Sequence, residues 1–278
     1  MSDFQVSELY VGSRNDDPKA PLFVLLHGFG GSIFQWRDLT EPLSQLGEIF
    51  AYDRPGFGDT DRPTKWQGTN PYSVSGNLEF LERRLTQIKR DRPIILIGHS
   101  AGGQIATYFA ATHPLMVQGL ILISPAMNAA GVPESFSKLF ANKFFDRVGP
   151  KLVKSFDKAG MQLLYKSVHD LNFLTPEVIA GYRDPLKHPD WTIGFWQFMK
   201  TPQPRDQHNA IAKVNCPTLV ITGDDDRVVP TKGTLKLVDE YRDHKLVVIP
   251  NGGHISHEEH PEVFMAAVRA NLTWLLGN

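Results

Sequence analysis

Ser100 stands between two glycines in the run Gly98-His99-Ser100-Ala101-Gly102. A serine hydroxyl becomes a useful nucleophile only when a base takes its proton. The chemistry such a residue could do is acyl transfer, which also needs an acid to orient the base and N–H donors to hold an oxyanion. Three further stretches offer those parts. His27-Gly28-Phe29-Gly30-Gly31-Ser32 is a glycine-rich loop whose backbone N–H groups can face open space, with Phe29 the expected donor. Gly223-Asp224-Asp225-Asp226-Arg227-Val228-Val229-Pro230 carries three carboxylates, and Gly252-Gly253-His254 ends on an imidazole, with His257 and His260 close behind. His27 is also an imidazole, but it falls where a strand ends, and its expected role is to brace the loop by hydrogen bonding. Asp53 and Arg54, opening Asp53-Arg54-Pro55-Gly56-Phe57-Gly58, read as a second brace in the form of an ion pair.

These residues need elements to present them. Ile94 to Ile97 is a short, wholly apolar, mostly β-branched run, the pattern of a strand buried on both faces. A helix is expected from Gln104 to about Thr112, closed by Pro114. Ser100 then sits on a sharp strand-to-helix turn, where side chains two positions to either side would collide, hence glycine at both places. Strands are also expected at Leu22 to Leu26, Glu48 to Tyr52, Val117 to Ile123, Pro217 to Thr222 and Lys245 to Ile249, with one edge strand within Phe4 to Gly12. Helices are expected at Phe34 to Leu46, Tyr72 to Lys89, Thr231 to Tyr241 and Pro261 to Leu276. The Tyr72 to Lys89 stretch carries Val74, Leu78, Leu81, Leu85 and Ile88 at helical spacing. Alternating strands and helices imply a mostly parallel, doubly wound α/β sheet. In such a sheet the loops at the strands' C-terminal ends share one edge, so the four loops above would meet there.

The alternation stops at Met127 and resumes at Lys213, which divides the chain into a core, 1–126 with 213–278, and an inserted helical unit, 127–212. Phe136, Leu139, Phe140 and Phe144 fall at helical spacing, as do Leu152, Phe156 and Ala159. Thr175-Pro176 reads as a helix cap followed by a first-turn proline, and Asp190 as the cap of a helix carrying Trp191, Phe195, Phe198 and Met199. The insert holds eight of the 17 phenylalanines, enough both to fill its own core and to line an apolar substrate pocket. Trp191, Phe195 and Phe198 share one helical face and are the expected pocket residues.

At 278 residues the chain can bury a large core, and a net charge of −1 leaves no basic footprint for nucleic acid. The single cysteine, Cys216, fits a small apolar residue at a strand start. No signal region opens the chain and no apolar run reaches the length of a membrane span, so a cytoplasmic protein is the expectation.

On these motifs the chain resembles the α/β-hydrolase fold family, of the kind with a helical cap, over nearly its whole length. Serine, aspartate and histidine follow one another in that family's order. In its G-x-x-D-x-x-V-P pattern the acid is the fourth residue, Asp226 here, and glycine-histidine followed by Glu259-His260-Pro261 marks His254 as the base, leaving His257 and His260 as bystanders. The resemblance implies a Ser100–His254–Asp226 triad, an oxyanion hole formed by the N–H groups of Phe29 and Ala101, a small apolar ester or related carbonyl substrate, and no metal or organic cofactor. A serine nucleophile argues against the haloalkane dehalogenases and epoxide hydrolases, similar proteins that use aspartate. C–C bond hydrolases of dienoic ring-cleavage products, cofactor-free perhydrolases and slow-turnover ligand receptors share the resemblance and stand as alternatives to an esterase. One departure is that only one strand, not a hairpin, precedes Leu22.

Overall fold

The structure is a computed structural model. It describes the chain except for residues 1–3, 15, 16, 18, 89, 90, 128–142, 155, 156 and 278. Phe136, Leu139, Phe140, Phe156 and Lys89, named above, therefore lie outside the described residues.

Seven strands form one sheet: β1 Glu8–Val11, β2 Leu22–Leu26, β3 Glu48–Tyr52, β4 Ile94–His99, β5 Gly119–Ile123, β6 Thr218–Gly223 and β7 His244–Ile249, in the order β1-β3-β2-β4-β5-β6-β7. All neighbours are parallel except β1, which runs antiparallel to β3 with Glu8 opposite Tyr52. Among the described residues no crossover helix joins β1 to β2, so nothing there obliges β1 to share their direction. A single strand precedes Leu22 among the described residues, in agreement with the sequence.

The apolar runs are strands because both faces of the sheet are covered. Side chains alternate across the sheet with period two. Leu22, Val24, Leu26, Ile94, Leu96, Leu120 and Leu122 enter one core, and Phe23, Leu25, Ile95, Ile97, Ile121 and Ile123 the other. The first core is roofed by α2 (Val74–Ile88) and α3 (Ala101–Thr112), through Leu81, Leu85, Ile105 and Phe109. The second is closed by Trp36, Leu39, Leu43 and the C-terminal helix Pro261–Leu275, through Phe264 and Val268. Burying one such side chain is worth roughly 1.5–3 kcal/mol, so two complete layers hold the loop-bearing edge rigid. Cys216 packs partly buried against the first core, and burial pushes its thiol up to about 12.

The stretch expected as one helix from Phe34 to Leu46 divides into a 3-10 turn, Ile33–Trp36, and a short helix α1, Thr40–Ser44. Pro42 explains the break. It has no N–H for the Asp38 carbonyl and would clash with it inside a longer helix, whereas the first turn of α1 accepts it.

Among the described residues, five α-helices lie between β5 and β6: α4 Lys143–Val153, α5 Asp157–Ser167, α6 Pro176–Arg183, α7 Trp191–Lys200 and α8 Gln207–Ile211. The Thr175 hydroxyl caps α6 by accepting from the Val178 N–H at 3.3 Å. Asp190 stands at the start of α7 but its side chain makes no capping bond, against expectation. Trp196 of α7 lies over Gly149 of α4 and donates its indole N–H to Asp146 at 3.0 Å. Ala210 and Ile211 already pack in the first core, and Asp206 accepts from the Tyr108 hydroxyl at 2.7 Å. No helix among the described residues is long and apolar enough to cross a membrane.

Candidate active site

Ser100 ends β4 and starts α3 with φ +51° and ψ −117°. A non-glycine residue held there stores roughly 1–3 kcal/mol of strain. Four backbone hydrogen bonds hold it: Ser100 N–H to the Ile123 carbonyl at 2.9 Å, and the Ser100 carbonyl accepting from Gly103 at 2.9 Å, Ala126 at 3.0 Å and Gln104 at 3.4 Å. The flanking glycines are steric necessities. A Cβ at Gly98 would stand 2.6 Å from the Gly102 carbonyl oxygen, and one at Gly102 would stand 2.0 Å from the Leu26 carbonyl oxygen. Among the described residues the Ser100 side chain has no hydrogen-bond partner, and the residue lines a cavity of about 850 Å³.

His254 lines the same cavity from the loop after β7, only 5% exposed. Its Nδ1–H donates to Asp226 Oδ2 at 2.8 Å. Asp226 Oδ1 accepts from the N–H groups of Val228 and Val229 at 2.9 and 2.8 Å, so the carboxylate is fixed before it meets the ring. With Nδ1 protonated, Nε2 is left with its lone pair, the tautomer a general base needs. Asp225 points elsewhere, to His169 Nδ1 at 2.9 Å and to Arg227, and Asp224 is exposed. Glu259 Oε2 holds the His254 loop by accepting from Gly253 N–H at 2.6 Å, while its Oε1 accepts from His169 N–H at 2.7 Å. His257 is fully buried between Trp36, His99 and Phe264, and His260 donates to the Asn251 carbonyl at 2.9 Å; neither lines the cavity.

Neither the Phe29 nor the Ala101 N–H donates to an oxygen among the described residues. The direction of the Phe29 N–H is set one residue back. The peptide joining Gly28 to Phe29 is planar and trans, so fixing the Gly28 carbonyl fixes the Phe29 N–H opposite it. That carbonyl accepts from His27 Nδ1 at 2.8 Å, Arg54 Nη2 at 2.9 Å and Gly31 N–H at 3.3 Å. His27 is therefore the brace its position suggested, its Nε2 accepting from Arg54 N–H at 3.0 Å. Burial, then the Arg54 charge, holds its pKa well below the ordinary value, so it stays neutral. The expected Asp53–Arg54 ion pair is absent: Arg54 is drawn to Gly28, and Asp53 accepts from Ile33 N–H at 2.6 Å and Asp59 N–H at 2.9 Å. Both residues brace the loops, separately.

Of the three aromatics expected in the pocket, Trp191 and Phe195 line the cavity and Phe198 does not. Phe198 is turned toward Phe29 and Phe57, with ring centroids at 5.6 and 5.1 Å, and Met199 lines the wall instead. Met127, Leu163, Leu164, Val228 and Val229 complete an apolar lining that local sequence does not announce.

A family model described as the alpha/beta hydrolase fold matches residues 21–261. The chain belongs to that family. Among characterised relatives, the chain is 27% identical to monoglyceride lipase from Rattus norvegicus, with 93% of this chain and 82% of the relative covered. It is 26% identical to 2-hydroxy-6-oxo-6-(2'-aminophenyl)hexa-2,4-dienoic acid hydrolase from Metapseudomonas resinovorans, with 90% and 83% covered. A thermophilic esterase from Thermogutta terrifontis superposes with a TM-score of 0.74 over 98% of this chain and 94% of that one, at 20% identity, a likeness of fold. The chain's relatives thus include lipases, esterases and C–C hydrolases.

Proposed function

We propose that the chain is a serine hydrolase that cleaves carboxylic esters through an acyl-enzyme. The observation that carries this reading is the convergence on one cavity of Ser100, on its strained turn, and His254, its tautomer fixed by Asp226. His254 Nε2 takes the hydroxyl proton as Ser100 Oγ attacks the carbonyl carbon. The oxyanion is received by the Phe29 and Ala101 N–H groups, and the N-terminal end of α3 favours the developing negative charge. His254 returns the proton to the departing alcohol, then activates the water that releases the acid.

The helices between β5 and β6 act as a cap over this edge. Their contribution to the cavity is apolar, Trp191, Phe195, Met199, Leu163 and Leu164, which suits an acyl chain. The identity with a dienoic acid hydrolase favours a second reading, hydrolysis of a C–C bond beside a vinylogous ketone by the same residues. Ser100→Ala protein and wild type, assayed side by side on p-nitrophenyl esters of increasing acyl length and on a vinylogous diketone, separate the two. The expected outcome is Ser100-dependent ester turnover that improves with chain length. Turnover of the diketone alone assigns the C–C reaction, and ester turnover undiminished in Ser100→Ala rejects both.

A further inference from the structure

The cavity wall holds a hydrogen-bonded chain that joins the helical unit to the oxyanion loop. Gln35, from the turn after that loop, accepts with Oε1 from the Gly28 N–H at 3.0 Å and presents Nε2 to the Tyr182 hydroxyl of α6 at 3.2 Å. The Tyr182 hydroxyl donates in turn to Glu258 Oε1, four residues beyond His254, and Glu258 Oε2 takes the Arg37 guanidinium. Donors and acceptors match at each step: the amide can only donate from Nε2, and the tyrosine accepts once and donates once. Gln35 and Tyr182 both line the cavity, and the Glu258 side chain is 1% exposed. Phe34 packs edge-on against Tyr182, so the contact between cap helix and loop has an apolar as well as a polar part.

A buried carboxylate is costly, and this one has been given two partners, Tyr182 of α6 and Arg37. Burial pushes Glu258 up to about 7, while Arg37 and the Tyr182 bond pull it back down. Burial, then the Glu258 charge, raises Tyr182 well above its ordinary value, so it remains a hydroxyl donor. A side chain serving only the cap's own packing has no need of this arrangement. What lies at its end is the N–H of Gly28, one residue before the Phe29 N–H, so the chain anchors the near side of the residue whose carbonyl His27, Arg54 and Gly31 hold on the far side.

We propose that Tyr182 and Glu258 are positioning residues: docked on Gln35, they hold the Gly28–Phe29 segment so that the Phe29 N–H meets the oxyanion, and thereby make the rate of the chemical step depend on the cap being in place. The inference rests on the ester-hydrolase reading above. It predicts a defect in the transition state and not in substrate binding, because the clamp acts on a donor that the ground-state carbonyl scarcely uses.

Tyr182→Phe removes one oxygen and keeps the ring on Phe34. Its kcat is expected to fall about tenfold, less than the roughly 10²–10³ that follows outright loss of an oxyanion donor, with KM little changed. Affinity for a trifluoromethyl ketone, which forms an oxyanion on Ser100, should weaken by the same factor as kcat, while affinity for a non-hydrolysable ether analogue should not move. Glu258→Gln, which keeps an acceptor oxygen for the Tyr182 hydroxyl, should lose less kcat than Glu258→Leu; this pair serves as the test if Tyr182→Phe does not fold. Wild-type kcat in Tyr182→Phe, or a change confined to KM, overturns the clamp. Absence of Ser100-dependent turnover in the wild type measured alongside overturns the hydrolase reading, and the clamp with it.

Discussion

Asp226 and Asp225 are adjacent in sequence, yet only Asp226 meets His254; Asp225 is taken by His169 and Arg227. Asp226→Asn should therefore lower kcat on the order of 10⁴-fold by imposing the wrong imidazole tautomer, while Asp225→Asn should leave kcat nearly intact. Steady-state kinetics on one activated ester measures both, and equal losses would assign the acid wrongly. The family pattern, which counts positions from Gly223, singles out Asp226 among the three aspartates, and Asp226 is the one bonded to His254. The roles of Gln35, Tyr182 and Glu258 were not. They lie 147 and 76 residues apart along the chain, and nothing local to any of them signals the others. Arg54 shows a subtler failure. Its neighbour in sequence suggested an ion pair, but in a buried loop the carbonyl of Gly28 lies where the guanidinium can reach it.

The elements were the most legible part, for a physical reason: a strand buried on both faces can contain little but Ile, Leu, Val and Phe, and β2 and β3 were predicted residue for residue. Helix α3 begins three residues earlier than expected because its first turn is made of the elbow's own Ala101, Gly102 and Gly103. That turn is intolerant. Gly102→Ala would drive a methyl into the Leu26 carbonyl, and should cost several kcal/mol of stability, as overpacking and strain together do, at the top of the roughly 1–3 kcal/mol typical of such insertions; urea denaturation reads this directly. In helix α7, Trp191 and Phe195 line the cavity, Phe195 also touching Phe29 with ring centroids at 5.3 Å, and Phe198 packs on Phe29 and Phe57 outside it. Trp191→Ala and Phe195→Ala should raise KM for long acyl esters more than for acetate, each side chain being worth roughly 1.5–3 kcal/mol of apolar contact. Phe198→Ala should instead leave the acyl profile unchanged and lower kcat, because it undercuts Phe29 and not the pocket. A shared acyl-profile change in all three would put Phe198 back on the wall.

For the molecule as a whole, packing two cores against one edge leaves ionisable groups sealed inside. Burial holds His27 and His99 well below their ordinary pKa and His257 at about 3. In the unfolded chain these imidazoles take protons near pH 6.5, so their contribution to stability is complete above that pH and is lost as pH falls. Glu258, raised to about 7, acts in the opposite sense: its contribution is complete below about pH 4.5 and is lost as pH rises through 7. Three groups against one predict a net loss of stability on acidification from pH 6.5 to 5. Among the described residues His257 has no hydrogen-bond partner, and it packs among rings, so His257→Phe should fold and should flatten the dependence of unfolding free energy on pH by about 1.4 kcal/mol per pH unit, the equivalent of one proton. An unchanged slope would mean His257 is protonated in the native state.

All of this turns on one oxygen atom at the edge where the strands end. A fluorophosphonate probe reacts with a serine only where a base activates it and donors hold the oxyanion. Intact-mass and peptide mass spectrometry of the labelled protein should find one adduct, on the peptide carrying Ser100, absent from Ser100→Ala and formed far more slowly in His254→Ala. A stoichiometric adduct on any other residue, or labelling that survives in Ser100→Ala, would contradict the account.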